Sequence, residues 1–236
     1  MKSLDQDSVK EFYNTHHECW PEDRFNKMTI DFIHNFILKA ARVYTAGDTL
    51  LNAGSGGVVY PTAAALFHLD IAEKTIAHLP NAVVGSVMDM PFRGSQFDGA
   101  ICVGSVINYC EAERAIPELG RVIRPGGGLV LEYERSGSGF APKEGRNADA
   151  FLYHHTFFGE PHVTRLYSEK FIESLLRENG FIIQKRRRFN AIIPVVQPGF
   201  SGGAVSRVIA LEPFCRNIPL LNRYSHNIIM RCVRAE

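Results

Sequence analysis

Three glycines fall within four residues in Asn52-Ala53-Gly54-Ser55-Gly56-Gly57, directly after the apolar Thr49-Leu50-Leu51. Such a run just past a strand means that the backbone turns sharply or lets a ligand approach closely. Further on, Asp70 closes the segment Phe67-His68-Leu69-Asp70, where a carboxylate can accept hydrogen bonds from paired hydroxyls or cap the next helix. A third group of interest lies between 133 and 167, which holds Tyr133, Phe140, Phe151, Tyr153, His154, His155, Phe157, Phe158 and His162. Such a set suits a pocket for a planar or apolar small molecule, or a loop packing its own aromatics. A histidine near its ordinary pKa is a competent base at neutral pH. No periodicity fixes which of His154 and His155 would face a pocket, and His154 is preferred by a slight margin. The five cysteines are scattered without a Cys-x-x-Cys pair, so no zinc site is expected, and with no evident pair of metal-binding acids after the fourth strand no other metal is expected either.

The elements that must position these residues alternate. Apolar strand segments at 49–53, 66–71, 82–87, 97–103, 127–133, 181–189 and 226–234 are separated mostly by helical ones at 72–79, 111–123 and 168–179. Two more helices, at 6–14 and 24–43, precede them; in the second, Ile30, Ile33, Phe36, Ile37 and Ala40 recur at helical spacing. Strands alternating with helices imply an α/β fold, a mostly parallel sheet covered on both faces. No clean crossover helix joins the last two strands, so an antiparallel last strand is expected. Residues 135–149 read as a long surface loop. The segment 191–224 is too long and too apolar for a hairpin turn, and its buried face belongs to the acceptor side of a site or to an oligomer contact.

In an open parallel sheet, ligands bind at the C-terminal ends of the strands, which is where the glycine turn falls. A dinucleotide fingerprint would need a third glycine at Val59, and no Walker loop is present. The segments that follow are "FHLDIAEKTI", "NAVVGSVMDMPF", "FDGAICVGSVINY" and "ELGRVIRPGGGLVLEY". With the glycine turn they make a series, in order and near-normal spacing, that resembles the class I S-adenosylmethionine (SAM) dependent methyltransferases. The resemblance is strong over 47–134 and weak over 168–190. Asn52 replaces the usual acidic first residue of the glycine motif, Val58 its last glycine, and Ser86 a frequent Asp. Only eighteen positions separate Asn52 from Asp70, so the helix after the glycine turn should be short.

The resemblance implies a Rossmann-like, doubly wound, seven-stranded sheet with an N-terminal helical lid (1–46), a SAM-binding core (47–134) and acceptor-side insertions (135–167 and 191–224), all in one domain. It implies S-adenosyl-L-methionine as cofactor, held by Tyr13, Asn52, Ala53, Gly54, Ser55, Gly56, Asp70, Ile71, Ser86, Val87, Met88, Val103 and Gly104. Asp70 would hold the ribose, residues 86–88 the adenine, and the carbonyls of Val103 and Gly104 the methionine ammonium. The acceptor side would be served by Tyr109, His154 and His155. Methylation of a small-molecule acceptor at oxygen or nitrogen is the expected activity; a protein or RNA acceptor and a non-catalytic SAM-fold subunit are the alternatives. The net charge of +1 speaks against a nucleic-acid partner, and no apolar run is long enough for a membrane span. The polar N-terminus and odd cysteine count suit a soluble cytoplasmic protein, with a homo-oligomer left open.

Overall fold

A computed structural model describes residues 4–16, 20, 23–139, 141–146, 148–192 and 210–236. Two helices come first, α1 (Gln6–Thr15) and α2 (Arg24–Ala41), followed by β1 (Thr49–Ala53), β2 (Ala65–Asp70), α3 (Glu73–Ile76), β3 (Ala82–Val84), β4 (Phe97–Cys102), α4 (Ala112–Val122) and β5 (Ile123–Glu134). Then come β6 (Ala150–Phe157), β7 (Glu160–Tyr167), α5 (Glu169–Glu178), β8 (Phe181–Phe189), the single turns α6 (Glu212–Cys215) and α7 (Pro219–Asn222), and β9 (Asn227–Arg234). Seven strands form one sheet in the order β3-β2-β1-β4-β5-β9-β8. The pairs from β3 to β5 are parallel, while β9 runs antiparallel to both β5 and β8. This is the expected Rossmann-like sheet with its antiparallel last strand.

The side chains of each strand alternate between two covers. Leu51, Leu69, Ala100, Leu129, Leu131 and Tyr133 face α4 and α5, whose Ile116, Leu119, Ile172 and Leu176 are fully buried. The opposite face presents Ile101, Val130 and Ile229 to Ile33, Ile37 and Ala40 of α2 and to Tyr60. On that face the next inward residues of β5 after Val130 are Glu132 and Glu134.

Three expectations need correction. No helix follows the glycine turn: residues 54–64 are irregular, and α2 supplies the cover that a helix there would give. Of the expected N-terminal lid, then, α2 packs on the sheet, and α1 and Trp20 remain to cover a site. Second, β5 begins at Ile123 rather than 127. Its pairing jumps from Phe97↔Ile123 to Gly99↔Gly128, so the Pro125-Gly126-Gly127 stretch is taken up as an irregularity within the strand. Third, residues 150–167 are no loop but an antiparallel hairpin, with His155 directly opposite His162. The stretch leading into it is pinned rather than solvated: Ser136 and Ser138 are fully buried, and the amides of Ser136 and Gly139 donate to the carbonyls of Tyr167 and Tyr224 at 2.9 and 3.0 Å.

Candidate active site

At the C-terminal end of β1 the chain enters the left-handed region at Gly54, Gly56 and Gly57, with φ of 73°, 53° and 80°. At Gly54 a side chain is excluded twice over, because an added Cβ would also collide with Val106. The turn is tied to β2. Gly54 and Ser55 both donate their amides to the Leu69 carbonyl (2.8 and 2.9 Å), and Gly56 donates to Asp70 Oδ2 (2.8 Å). Underneath, Asn52 Nδ2 donates to Val58 O (2.8 Å) and Ser55 Oγ (3.2 Å), and Ser55 Oγ bonds His68 Nδ1 at 2.8 Å. Asn52 and His68 stand side by side in the β1–β2 register and are both buried. Asn52 and Ala53 therefore support the turn from below and do not line the cavity, which corrects their expected role.

Above the strand ends lies a cavity. The turn residues Gly54, Ser55 and Gly56 line it, with Asp70 and Ile71, Ser86 and Val87, and Val103 and Gly104. Tyr13 of α1 and Trp20 close over it, and Tyr109 forms a further wall. Met88 is absent from this lining. Its sulfur accepts the Glu111 amide at 3.2 Å, and its side chain packs on the main core. Asp70 also accepts the Ala72 amide on Oδ1 (2.9 Å), in a local turn rather than as the cap of α3, whose cap residue is Ala72. Burial raises the Asp70 pKa, and the amides of Ala72, Gly56 and Ile71 oppose that shift. Cys110 also lines the cavity, but burial pushes its thiol up to about 12, so it is no nucleophile at neutral pH.

The wall at Tyr109 belongs to a short 3-10 turn, Val106–Tyr109, that follows β4. Asn108 fixes it: its Nδ2 donates to the carbonyls of Glu134 (2.9 Å) and Arg165 (2.7 Å), and its Oδ1 accepts the Glu134 amide (2.8 Å). Tyr109 is thereby brought against the hairpin, with its hydroxyl 3.0 Å from His162 Nε2. His155 packs edge-on to His162 (5.5 Å between centroids) and stacks on Tyr153 (5.0 Å). Phe12 of α1 packs on His162 at 4.5 Å, and His16 at the end of α1 packs on Phe158 at 5.0 Å, which holds α1 to the hairpin.

Strand alternation sends His154 the other way. It is exposed, on the face opposite His155, so the preference for His154 is corrected in favour of its neighbour. Burial lowers the His155 pKa while the Glu134 charge opposes it, and burial draws that of His162 down to about 4. Burial also acts on Glu134, but the charge of His226 and further bonds outweigh it and hold the carboxylate below its ordinary range. Glu134, which nothing in the sequence singled out, carries as much of this geometry as His155 and His162, and Asn108 holds the turn that presents Tyr109. The available signal for the hairpin was the alternation in Phe151-Leu152-Tyr153-His154-His155-Thr156-Phe157. Phe140, and the 193–209 part of the 191–224 segment, lie outside the described residues. At the described ends of that segment, Ala191 and Ile192 donate their amides to the Glu212 carboxylate at 2.9 and 3.0 Å.

Comparison with known proteins bears on the strand-end half of this site. A family model described as "Methyltransferase domain" matches residues 51–131, which span the glycine turn, Asp70 and the turn after β4. The match covers about a third of the chain, the part that builds the glycine turn and the first half of the sheet. Among curated proteins, O-methyltransferase resE of Aspergillus sclerotiorum is 30% identical over 96 residues, 41% of this chain and 33% of that protein. The match thus spans about a third of the relative's length. Among solved structures, the 1,6-didemethyltoxoflavin-N1-methyltransferase of Burkholderia thailandensis superposes with a TM-score of 0.59 at 14% identity, covering 100% of this chain and 92% of that one. The [4+2]-cyclase SpnF superposes with a TM-score of 0.56 at 18% identity, covering 87% and 80%. At such identities the chain shares their fold, and the fold alone does not choose among their reactions. Among the described residues no helix is long and apolar enough to cross a membrane.

Proposed function

We propose that this domain binds SAM in the strand-end cavity and transfers its methyl group to an oxygen or nitrogen of a small molecule held against the β6–β7 hairpin. The observation that carries this reading is the convergence on one cavity of the turn at Gly54–Gly56, the Asp70 carboxylate and the Val103–Gly104 turn, with Tyr109 as its wall and His162 of the hairpin behind Tyr109. These residues fit such a cofactor. Gly54 leaves its approach open, and the Asp70 carboxylate faces the cavity with acceptor capacity beyond its amide bonds. Ser86 and Val87 lie where the adenine would be read. When bound, SAM supplies a methyl group already activated by its sulfonium charge.

The protein's part is alignment, exclusion of water and acceptance of one proton. Tyr13 and Trp20 shield the cavity. Tyr109 orients the acceptor, and neutral His162 holds the Tyr109 ring in place. His155, whose charged form Glu134 favours against burial, takes the acceptor's proton. An oxygen nucleophile is favoured because the matched curated relatives are O-methyltransferases by name. The test is binding of SAM and S-adenosylhomocysteine by stripped protein, with a nicotinamide dinucleotide as the counter-probe. Saturation a hundredfold above Kd should stabilise the fold by about 2.7 kcal/mol. Stabilisation by the dinucleotide alone would sink the reading.

A further inference from the structure

A chain of buried polar side chains ends under the cavity and has no part in the site as described so far. Thr29 Oγ1 of α2 donates to Asn190 Oδ1 (3.2 Å), Asn190 Nδ2 to Asn227 Oδ1 (2.9 Å), and Asn227 Nδ2 to Glu132 Oε1 (2.7 Å). The other oxygen of Glu132 accepts two backbone amides, from Gly104 (2.9 Å) and Ser105 (2.8 Å). Thr29, Asn190, Asn227 and Glu132 are all nearly inaccessible to solvent. All three of these partners of Glu132 are donors, so the chain ends on a group that must only accept, and the ionised carboxylate meets that need.

The two amides fix a turn that would otherwise be unfavourable. Gly104 and Ser105 both sit in the left-handed region, at φ 81° and 60°, and Ser105 pays a steric penalty there. In a planar trans peptide the N–H and C=O point in opposite directions. With the amides of Gly104 and Ser105 aimed at Glu132, the carbonyls of Val103 and Gly104 are aimed away from it, and both residues line the cavity.

We propose that Glu132 is the positioning residue for the charged methionine end of the cofactor: it turns the Val103 and Gly104 carbonyls into the cavity, and its own charge couples cofactor binding to its ionisation. The inference rests on the function proposed above and deepens it. Burial pushes the Glu132 carboxyl up to about 7, against the bonds from Ser105, Asn227 and Gly104. Around it stand Cys102 on β4, Glu134 on its own strand, and His226 at the start of β9, which pairs with Glu134 at 3.4 Å; His155 of the hairpin acts on Glu134 in turn. A cation bound beyond the two carbonyls favours the ionised form. Binding below pH 7 then releases a proton, and affinity rises with pH until Glu132 is fully ionised. A bound anion would instead favour charged histidines in the hairpin, which would take up a proton from solvent, so the sign of the exchange separates the two sources.

The experiment is titration calorimetry with SAM and with S-adenosylhomocysteine at pH 5.5 to 7.5, in buffers of different ionisation enthalpy. The wild-type protein should release a proton on binding at pH 6, and its affinity should rise about tenfold across the range, the equivalent of one pKa unit. Glu132→Gln keeps an oxygen for the two amides but no charge. It should bind about tenfold more weakly at pH 7.5, with no proton release and a flat pH profile. Wild-type binding without proton release overturns the proposal whether or not the variant folds, as does a Glu132→Gln protein that keeps the wild-type profile. If neither ligand binds the wild type, the proposed function falls, and with it this inference.

Discussion

The glycine turn lines the cavity and the β6–β7 hairpin backs its Tyr109 wall, and the two are built by opposite means. At the turn, the backbone does the work. Amides of Gly54, Ser55 and Gly56 are spent on Leu69 and Asp70, and side chains are kept out at Gly54 by both φ and the Val106 contact. At the hairpin, the side chains do the work. His155, His162, Phe157 and Tyr109 meet as rings on a regular ladder that any alternating sequence could form. A backbone site tolerates almost no change at its few fixed positions. A side-chain site can be rewritten without disturbing the ladder, which suits a common cofactor on one side and a particular acceptor on the other.

The sharpest break of this comparison is one alanine in each region. Gly54→Ala adds a methyl into Val106 at a φ that disfavours it, and overpacking and strain each cost about 1–3 kcal/mol. Cofactor affinity should fall by about 100-fold or more. Gly159→Ala, at the hairpin turn, has a similar φ of 81° but no atom within 4 Å of the added Cβ. It should cost about 1 kcal/mol of stability and leave cofactor affinity unchanged. Calorimetry and melting curves on the two variants check this; equal loss of affinity in both would mean that the regions are not separate.

How far each region was legible follows from the same difference. Gly54, Gly56 and Asp70 could be placed from sequence because positive φ and a strand-end carboxylate leave a residue-type signature at fixed spacing. The mostly parallel sheet followed from the alternation of strands and helices, and the antiparallel β9 from the missing crossover helix before it; the strand order did not. The hairpin was missed because its aromatics and histidines, taken as a composition, look the same in a loop. Only their alternation tells His155 from His154. Glu132 left no mark at all, since its partners lie in the turn after β4 and on β9, and the bonds that Asn108 sends to β5 and β7 were hidden in the same way. The cover supplied by α2 was hidden for a similar reason: nothing local to residues 54–64 shows which distant helix fills the gap.

On the hairpin side, His155→Gln should lower kcat by about 100-fold or more if His155 accepts the proton, the usual effect of removing a positioned base. His154→Gln, exposed on the far face, should stay within about twofold, as surface changes do. Single-turnover rates from pH 6 to 9 decide it. Wild-type rates in the His155 variant would leave alignment by Tyr109 as the whole contribution of this wall.

On the cofactor side, Asp70→Asn is milder than the glycine change because the amide oxygen still serves the local turn. The charge-assisted part of the bond to a ribose is lost, and such bonds are worth about 1.5–3 kcal/mol. Affinity for S-adenosylhomocysteine should fall about tenfold or more, with little change in Tm. A large drop in Tm at unchanged affinity would make Asp70 a brace for Gly56 and Ala72 and nothing more.

The smallest effect, and the one that tests whether the hairpin is a separate unit, is acid stability. Burial holds His162 at about 4 in the folded protein, below the ordinary 6.5. As pH falls below 6.5 the unfolded chain takes up a proton that the folded one refuses, so stability is lost between pH 6.5 and 4 and levels off below. His162→Gln removes that uptake while keeping a group that can bond Tyr109. The variant should start less stable than the wild type at pH 7.5, because Phe12 and Phe157 lose their ring partner, and the gap should close as the pH falls. Hydrogen exchange should place the acid-sensitive opening in residues 150–167 and α1, leaving the amides of β1 and β4 protected. Denaturation curves for the two proteins that run parallel from pH 7.5 to 4.5 would show that His162 is not held neutral by the fold. Acid opening that spreads equally through β1 and β4 would show that the hairpin and the strand-end half unfold as one.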